Sequence, residues 1–296
     1  MRKGMYMLMA ALVLILPGCS TKTKEPQFVS TSVHQEFLEN GVVTGTDDYY
    51  YTRNDQGLVT DGERWEDGLL TEQTHWDYDD WGNPVRITTK GTMVNQISEY
   101  KNTLDEEGRI LRREGWTNGA LTSVREITYN RHGKEATHHL TAWHEDGELD
   151  GSSDYTMTYN WQGKLTRQVH LRDTGAEYVW EYQDGLCVRE TAYEAQTHAV
   201  TYYWEYTYDE KDRCIREARY AGDGTLELYH EYVYDEEART KTRTCYLSDG
   251  TADNHSDVYT YDEYGNEVLL EKLRDGEVYW RIAYHYEMLD TATERS

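Results

Sequence analysis

Aromatic and apolar residues fall at every second position through most of the chain, as in Tyr202, Trp204, Tyr206 and Tyr208, in Tyr232 and Tyr234, and in Tyr259 and Tyr261. A period of two in Tyr, Trp, Val and Thr predicts β-strands. Each run stops at an Asp or Asn that leads into Gly. The Asp or Asn side chain can bond the backbone two residues on, and Gly accepts positive φ, so these residues predict a type I turn closed by a bulge. A second strand follows, then a second turn made of an aromatic residue or Leu, polar residues, Asp or Asn, and Gly. Examples are Trp65 with Asp67-Gly68, Trp116 with Asn118-Gly119 and Tyr246 with Asp249-Gly250. Nothing in this pattern has the 3.6-residue period of a helix.

The pattern is one unit repeated. Tyr78-Asp79-Asp80-Trp81-Gly82 returns as Leu104-Asp105-Glu106-Glu107-Gly108, Tyr129-Asn130-Arg131-His132-Gly133 and Tyr159-Asn160-Trp161-Gln162-Gly163. Later copies begin at Tyr208-Asp209, Tyr234-Asp235 and Tyr261-Asp262, the last closing at Gly265, with a shorter copy at Tyr182 to Gly185. The lead residues advance by 23 to 30 positions, about 26 on average. Each unit therefore holds two strands and two turns, and the turns rest on Asp79, Gly82, Gly108, Gly133, Gly163, Gly185, Asp209, Asp262 and Gly265.

About nine such hairpins predict an all-β chain, an elongated antiparallel meander of roughly eighteen strands in a single twisted or curled sheet. Left open, that sheet would run about 80–90 Å at the usual strand spacing. Pairing Asp209 with Arg213 without a bulge would set Tyr206 opposite Arg216 and Trp204 opposite Ala218, leaving one aromatic face and one charged face. Neither face is purely apolar, which argues against a compact sandwich and against a barrel that spans lipid.

The N-terminus has a different pattern. Arg2 and Lys3 precede an apolar run from Met5 to Leu16, which ends in Leu16-Pro17-Gly18-Cys19. The run is too short to span a bilayer and has the parts of a secretory signal. The cysteine directly after a small residue resembles the bacterial lipobox, where the thiol is lipidated and the chain is cut before it. The resemblance implies a signal peptide over 1–18 and a lipidated Cys19 tethered outside the cytoplasmic membrane. A polar spacer is expected over 19–46, the repeat domain over 47–290 and a short tail over 291–296. Phe28-Val29 and Val42-Val43 suggest that the later part of the spacer docks as an end strand or a cap.

Charge narrows the partners. The chain carries 55 acidic against 30 basic residues, a formal charge of −25, and losing Arg2 and Lys3 with the leader takes it to −27. Phosphate backbones would be repelled, so nucleic acid is not an expected partner. Tyr numbers 27 against 2 Phe. That bias suits a thin wall in which each ring keeps a polar edge, rather than a thick core.

Tyr-Asp-x-x-Gly followed by Arg, Asn or Lys is similar to the YD-repeat or RHS-repeat family, carried here by Tyr78, Asp79, Gly82, Tyr208, Asp209, Arg213, Tyr261, Asp262 and Gly265. The likeness runs from about Asp47 to Tyr286. It implies a secreted or surface protein built of β-hairpin repeats, some of whose large members wrap into a shell around a toxic cargo. This chain is too short for such a cage, so the resemblance implies fold more than activity.

Candidate chemistry is sparse. Cys187, Cys214 and Cys245 are expected as free thiols, since Cys187 and Cys214 fall two strands apart, beyond disulfide reach. His138 and His139 point to opposite faces of a strand and cannot share one ion. Acidic turns offer too few oxygens for calcium. No metal, cofactor or catalytic residue is expected, and no metalloprotease, nucleophile-elbow or phosphate-loop motif occurs. The expectation is a non-catalytic envelope lipoprotein that binds a glycan or a protein through Tyr202, Trp204, Tyr206 and Tyr208. Two alternatives are an acidic antagonist of a basic toxin and an envelope polysaccharide hydrolase.

Overall fold

A computed structural model describes residues 28–288. The leader, Cys19 and the last eight residues lie outside the described residues. Twenty strands follow one another: β1 (Phe28–Glu39), β2 (Val42–Arg53), β3 (Val59–Glu66), β4 (Leu69–Tyr78), β5 (Pro84–Gly91), β6 (Asn95–Leu104), β7 (Ile110–Thr117), β8 (Ala120–Tyr129), β9 (Glu135–Trp143) and β10 (Leu149–Tyr159). The second half holds β11 (Leu165–Arg172), β12 (Glu177–Gln183), β13 (Leu186–Tyr193), β14 (Val200–Tyr208), β15 (Cys214–Ala221), β16 (Leu226–Asp235), β17 (Thr240–Leu247), β18 (Ala252–Tyr261), β19 (Glu267–Arg274) and β20 (Glu277–Met288).

Each strand pairs antiparallel with the next, and β1 pairs with β20, which closes the sheet into a barrel. This overturns the expectation of an elongated meander in a single twisted or curled sheet. The closing strand comes from the stretch read as a spacer. Phe37 faces Trp280, Gln35 faces Ile282 and Val33 faces Tyr284, while Arg281 reaches Glu36 at 2.7 Å. The expected domain boundary at Asp47 falls inside β2. Bulges supply the curvature. Eight of the register shifts sit directly before a repeat turn, as at Asp77/Tyr78 and Thr128/Tyr129, and each bends its strand and adds twist on the same rim.

Those turns have the chemistry the sequence implies. The Asp79 carboxylate accepts from the Trp81 and Asn83 amides at 3.0 and 2.8 Å, and the Gly82 amide donates to the Asp79 carbonyl at 3.0 Å. Gly82, Gly108, Gly133, Gly163 and Gly265 all take φ between +71° and +84°. After Asp209 the same position is filled by Asp212 at +60°, and Asp184-Gly185 forms the shorter two-residue turn at +53° and +97°.

The wall is thin. Among the described residues only Val124, Ile127, Val179, Ala192, Ala218, Leu270 and Ile282 form a buried apolar core. No strand comes within 8 Å, between Cα atoms, of any strand but its two neighbours. Burial separates the two faces. In β4, Glu72, Thr74, Trp76 and Tyr78 are half-buried whereas Gln73, His75 and Asp77 are exposed, and β6 and β10 alternate alike. Side chains converge on the concave side of a closed wall, so the Tyr/Trp face is the inner one. The outer wall carries Asp77, Glu99, Lys101, Glu126, Asp154 and Glu205, all exposed, where a lipid-spanning barrel presents an apolar band.

The register also departs from the unbulged pairing. Tyr208 does face Cys214, but the bulge between Thr207 and Tyr208 moves every earlier pair by one, so Tyr206 faces Glu217 and Trp204 faces Arg219. A one-residue shift exchanges the two faces of the partner strand. Arginines and glutamates expected on the outside therefore join the aromatic face.

Candidate functional site: the inner face of the barrel

The repeat motif explains itself at the rim. The lead Tyr of a unit donates its hydroxyl to a carbonyl of the preceding strand: Tyr78 to Val59 at 2.6 Å, Tyr129 to Ile110 at 2.9 Å, Tyr159 to Glu135 at 2.7 Å, Tyr208 to Cys187 at 2.6 Å and Tyr234 to Cys214 at 2.9 Å. Phe has no such donor, which favours Tyr at these five positions. The basic residue after the turn lies over the lead Tyr of the next unit. Arg109 sits 4.7 Å from the Tyr129 ring, Lys134 5.8 Å from Tyr159 and Arg213 4.2 Å from Tyr234. Burial, with neighbouring Cys214 and Cys187, pushes the Tyr208 phenol up to about 12.

Further up the wall, the four predicted aromatics stand together on β14. Arg219 lies 4.4 Å from the Tyr202 ring, Trp204 stacks on His230 at 5.9 Å, and Tyr206 donates to Glu190 at 3.5 Å. All four are engaged, Tyr208 by its hydrogen bond to the Cys187 carbonyl and the others by Arg219, His230 and Glu190, so a partner would meet the ring faces that these contacts leave open. A ladder of stacked rings crosses the neighbouring inner wall: His138 to Tyr155 at 4.1 Å, Tyr155 to His170 at 4.1 Å, and His170 to Tyr178 at 5.8 Å. Burial, with the nearby Arg172 charge, holds the His170 imidazole below its ordinary range.

The residue five places after the turn Gly, or its equivalent, sits at mid-height on this face in every unit: Gly62, Ile87, Arg113, His138, Gln168, Glu190, Glu217, Arg243 and Leu270. Sequence reasoning did not single out this belt, although the repeat phase contains it. Two stretches are ionic. Glu217 takes a hydrogen bond from His230 at 2.7 Å and lies 3.5 Å from Arg243, which also binds Asp257 at 3.0 Å. Burial alone would raise the Glu217 carboxyl, but His230, Tyr232 and Arg243 overcome it and hold it below the usual carboxylate range. On the opposite stretch, Arg113 faces Arg125 across β7 and β8, and donates to Asn102 at 2.8 Å.

The other candidates stay apart. Cys187, Cys214 and Cys245 are free thiols on three different strands, and burial pushes the Cys187 thiol up to about 11. His138 turns toward Glu135 and Arg125 whereas His139 turns out to Asp154 at 2.7 Å. Among the described residues no three His, Cys, Asp or Glu side chains converge as metal ligands.

No family model matches the chain, and no curated protein does. Solved structures similar to it include a porin-like protein from Bacteroides uniformis, at 13% identity and a TM-score of 0.36, covering 87% of this chain and 98% of that one. A porin-like protein from Bacteroides vulgatus matches at 9% identity and 0.31, covering 87% and 98%. The Photorhabdus luminescens Tc holotoxin pore matches at 11% and 0.23, and this chain spans 18% of its length. At these scores none of the three bears on what the protein does.

Proposed function

We propose that the protein is a non-catalytic binding module of the bacterial cell envelope, tethered through a lipidated Cys19, whose ligand is a glycan or a protein. The reading of its address rests on the basic head, the short apolar run and the Leu16-Pro17-Gly18-Cys19 sequence. The observation that carries the binding role is the inner wall at β14. There Tyr202, Trp204 and Tyr206 stand in line, flanked by Glu190, Glu217 and Arg219, which offers ring faces for stacking and polar groups for orientation. Glycan-array and pull-down screening of the wild type and Trp204→Ala tests this. Ligands that bind the wild type should be lost or weakened at least about tenfold in the variant, the cost of one stacked aromatic. Equal binding by both would remove the aromatic wall from the account.

A second reading draws on the net charge of −25 and the acids of the outer wall, which suit a basic protein such as a toxin held in check. It predicts an association rate that falls steeply as salt rises. A captured partner of low pI would contradict it.

A further inference from the structure

The inner wall at β6, β7 and β8 carries two arginines, of which only Arg125 has a carboxylate beside it; the nearest acid acting on Arg113 is the more distant Asp79. Arg113 and Arg125 are directly opposed across the β7–β8 pair, an arrangement that is destabilising in isolation. Arg125 has a carboxylate, Glu135, at 3.2 Å, shared with His138. Among the described residues Arg113 has no carboxylate within 4 Å. Its guanidinium donates Nε to the Asn102 Oδ1 and lies 5.3 Å from the Tyr100 ring. Glu114 and Glu126, the nearest acids in sequence, point the other way and are taken by Arg112 on the outer wall. Beside Arg113 the Nδ2 of Asn102 is buried without a partner, and so is Nε of Arg125, a feature that Arg64, Arg216 and Arg243 share elsewhere on the wall. The Asn102 amide cannot flip to answer this, because its oxygen is held by Arg113.

A half-buried guanidinium with no carboxylate within 4 Å, an opposed like charge and an orphaned amide donor all lack the same thing, an acceptor bearing negative charge. The surroundings make the feature local, since the protein as a whole is acidic. We infer that Asn102, Arg113 and Arg125 form an oxyanion site on the inner wall, which takes a carboxylate or sulfate group. The planar guanidinium forks suit a two-oxygen acceptor, and Tyr100 supplies a ring face beside it. Such a group arrives either as a free anion or on an acidic saccharide. The site lies six strands from Trp204 and stands whether or not the aromatic wall binds anything.

The experiment is a calorimetric titration of the full chain at constant ionic strength with three probes: inorganic sulfate, a galacturonate trisaccharide and its neutral galactose counterpart. The wild type should bind at least one of the two anionic probes saturably and leave the neutral one unbound. Binding of sulfate identifies the free oxyanion as sufficient, and binding of the acidic saccharide alone identifies the glycan as its source. Arg113→Gln should weaken binding about ten- to hundredfold, the loss of one charge-assisted contact, while Arg113→Lys recovers part of it. Arg86→Gln, which removes an outer-wall charge, should leave affinity unchanged. Failure of the wild type to bind either anion would overturn the site. So would equal weakening by Arg86→Gln, which would make the effect one of net charge. Circular dichroism of each variant separates loss of the site from loss of the fold.

Discussion

Strands β7 and β17 carry arginine at the same place in the repeat, five residues past the turn, and the barrel treats the two in opposite ways. Arg243 faces Asp257 and lies beside Glu217 and His230, so its charge is answered on both sides. Arg113 faces Arg125 and an asparagine. The same repeat position thus produces an ion network in one sector and an arginine with no carboxylate beside it in the other. The difference teaches that the repeat fixes where a side chain stands, and that its cross-strand partner decides whether it stabilises the wall or waits for a ligand.

The widest gap between the sectors should appear in stability. Breaking the answered network with Glu217→Ala leaves His230 and Arg243 short of a partner in a half-buried site, and about 1–3 kcal/mol of unfolding free energy should be lost. Arg113→Gln should change it by less than about 0.5 kcal/mol or raise it, because a like-charge pair is relieved. Urea unfolding of both variants checks this, and equal losses would erase the distinction.

A rim substitution should come next. Gly108 holds φ +78° with the Trp81 indole packed against it, so a Cβ there meets both an unfavourable backbone region and the ring. Gly108→Ala should cost about 1–3 kcal/mol. Gly119→Ala, also at positive φ but with open space around it, should cost less. A smaller effect, about 0.5–1.5 kcal/mol, is expected for Tyr208→Phe, which removes only the hydroxyl bond to Cys187.

Acid should act on both sectors through Glu135 and Glu217. Burial opposes their ionisation, but hydrogen bonds from His138 and His230 hold both carboxyls below their ordinary range in the folded chain. A depressed carboxylate contributes stability that is present above its unfolded pKa, about 4.3, and is lost as pH falls through the lower folded value. The midpoint of thermal unfolding should therefore drop below about pH 4, less steeply in Glu217→Gln than in the wild type. A midpoint that rises on acidification would contradict the assignment.

The sequence made the strands, the turns and their phase legible because Tyr, Trp and Thr at period two and Asp-x-x-Gly are local signals. Closure was not legible. It depends on residues 28–39 pairing with residues some 250 positions away, and their alternation resembles that of any edge strand. The inner wall is half legible: Tyr202, Trp204 and Tyr206 stand out, while unbulged pairing sets Arg216 and Ala218 opposite Tyr206 and Trp204 in place of Glu217 and Arg219. The bulge at Thr207/Tyr208 makes that one-residue difference, and its effect on the register is not visible in the turn residues themselves. Arg113 left no mark of its own, since its meaning comes from Arg125 across the strand and not from its neighbours in the chain.

Closure carries every statement about an inner and an outer wall. In a chain whose three described cysteines are replaced by serine, His34→Cys with Ala283→Cys places two thiols at directly paired positions of β1 and β20. Paired strands hold such Cα atoms about 4.5–5.5 Å apart, within disulfide range. The account predicts rapid intramolecular cross-linking of the folded monomer at dilute concentration, abolished in denaturant. An open sheet would keep these strands on opposite edges, and cross-links found only between chains, or none, would contradict the barrel.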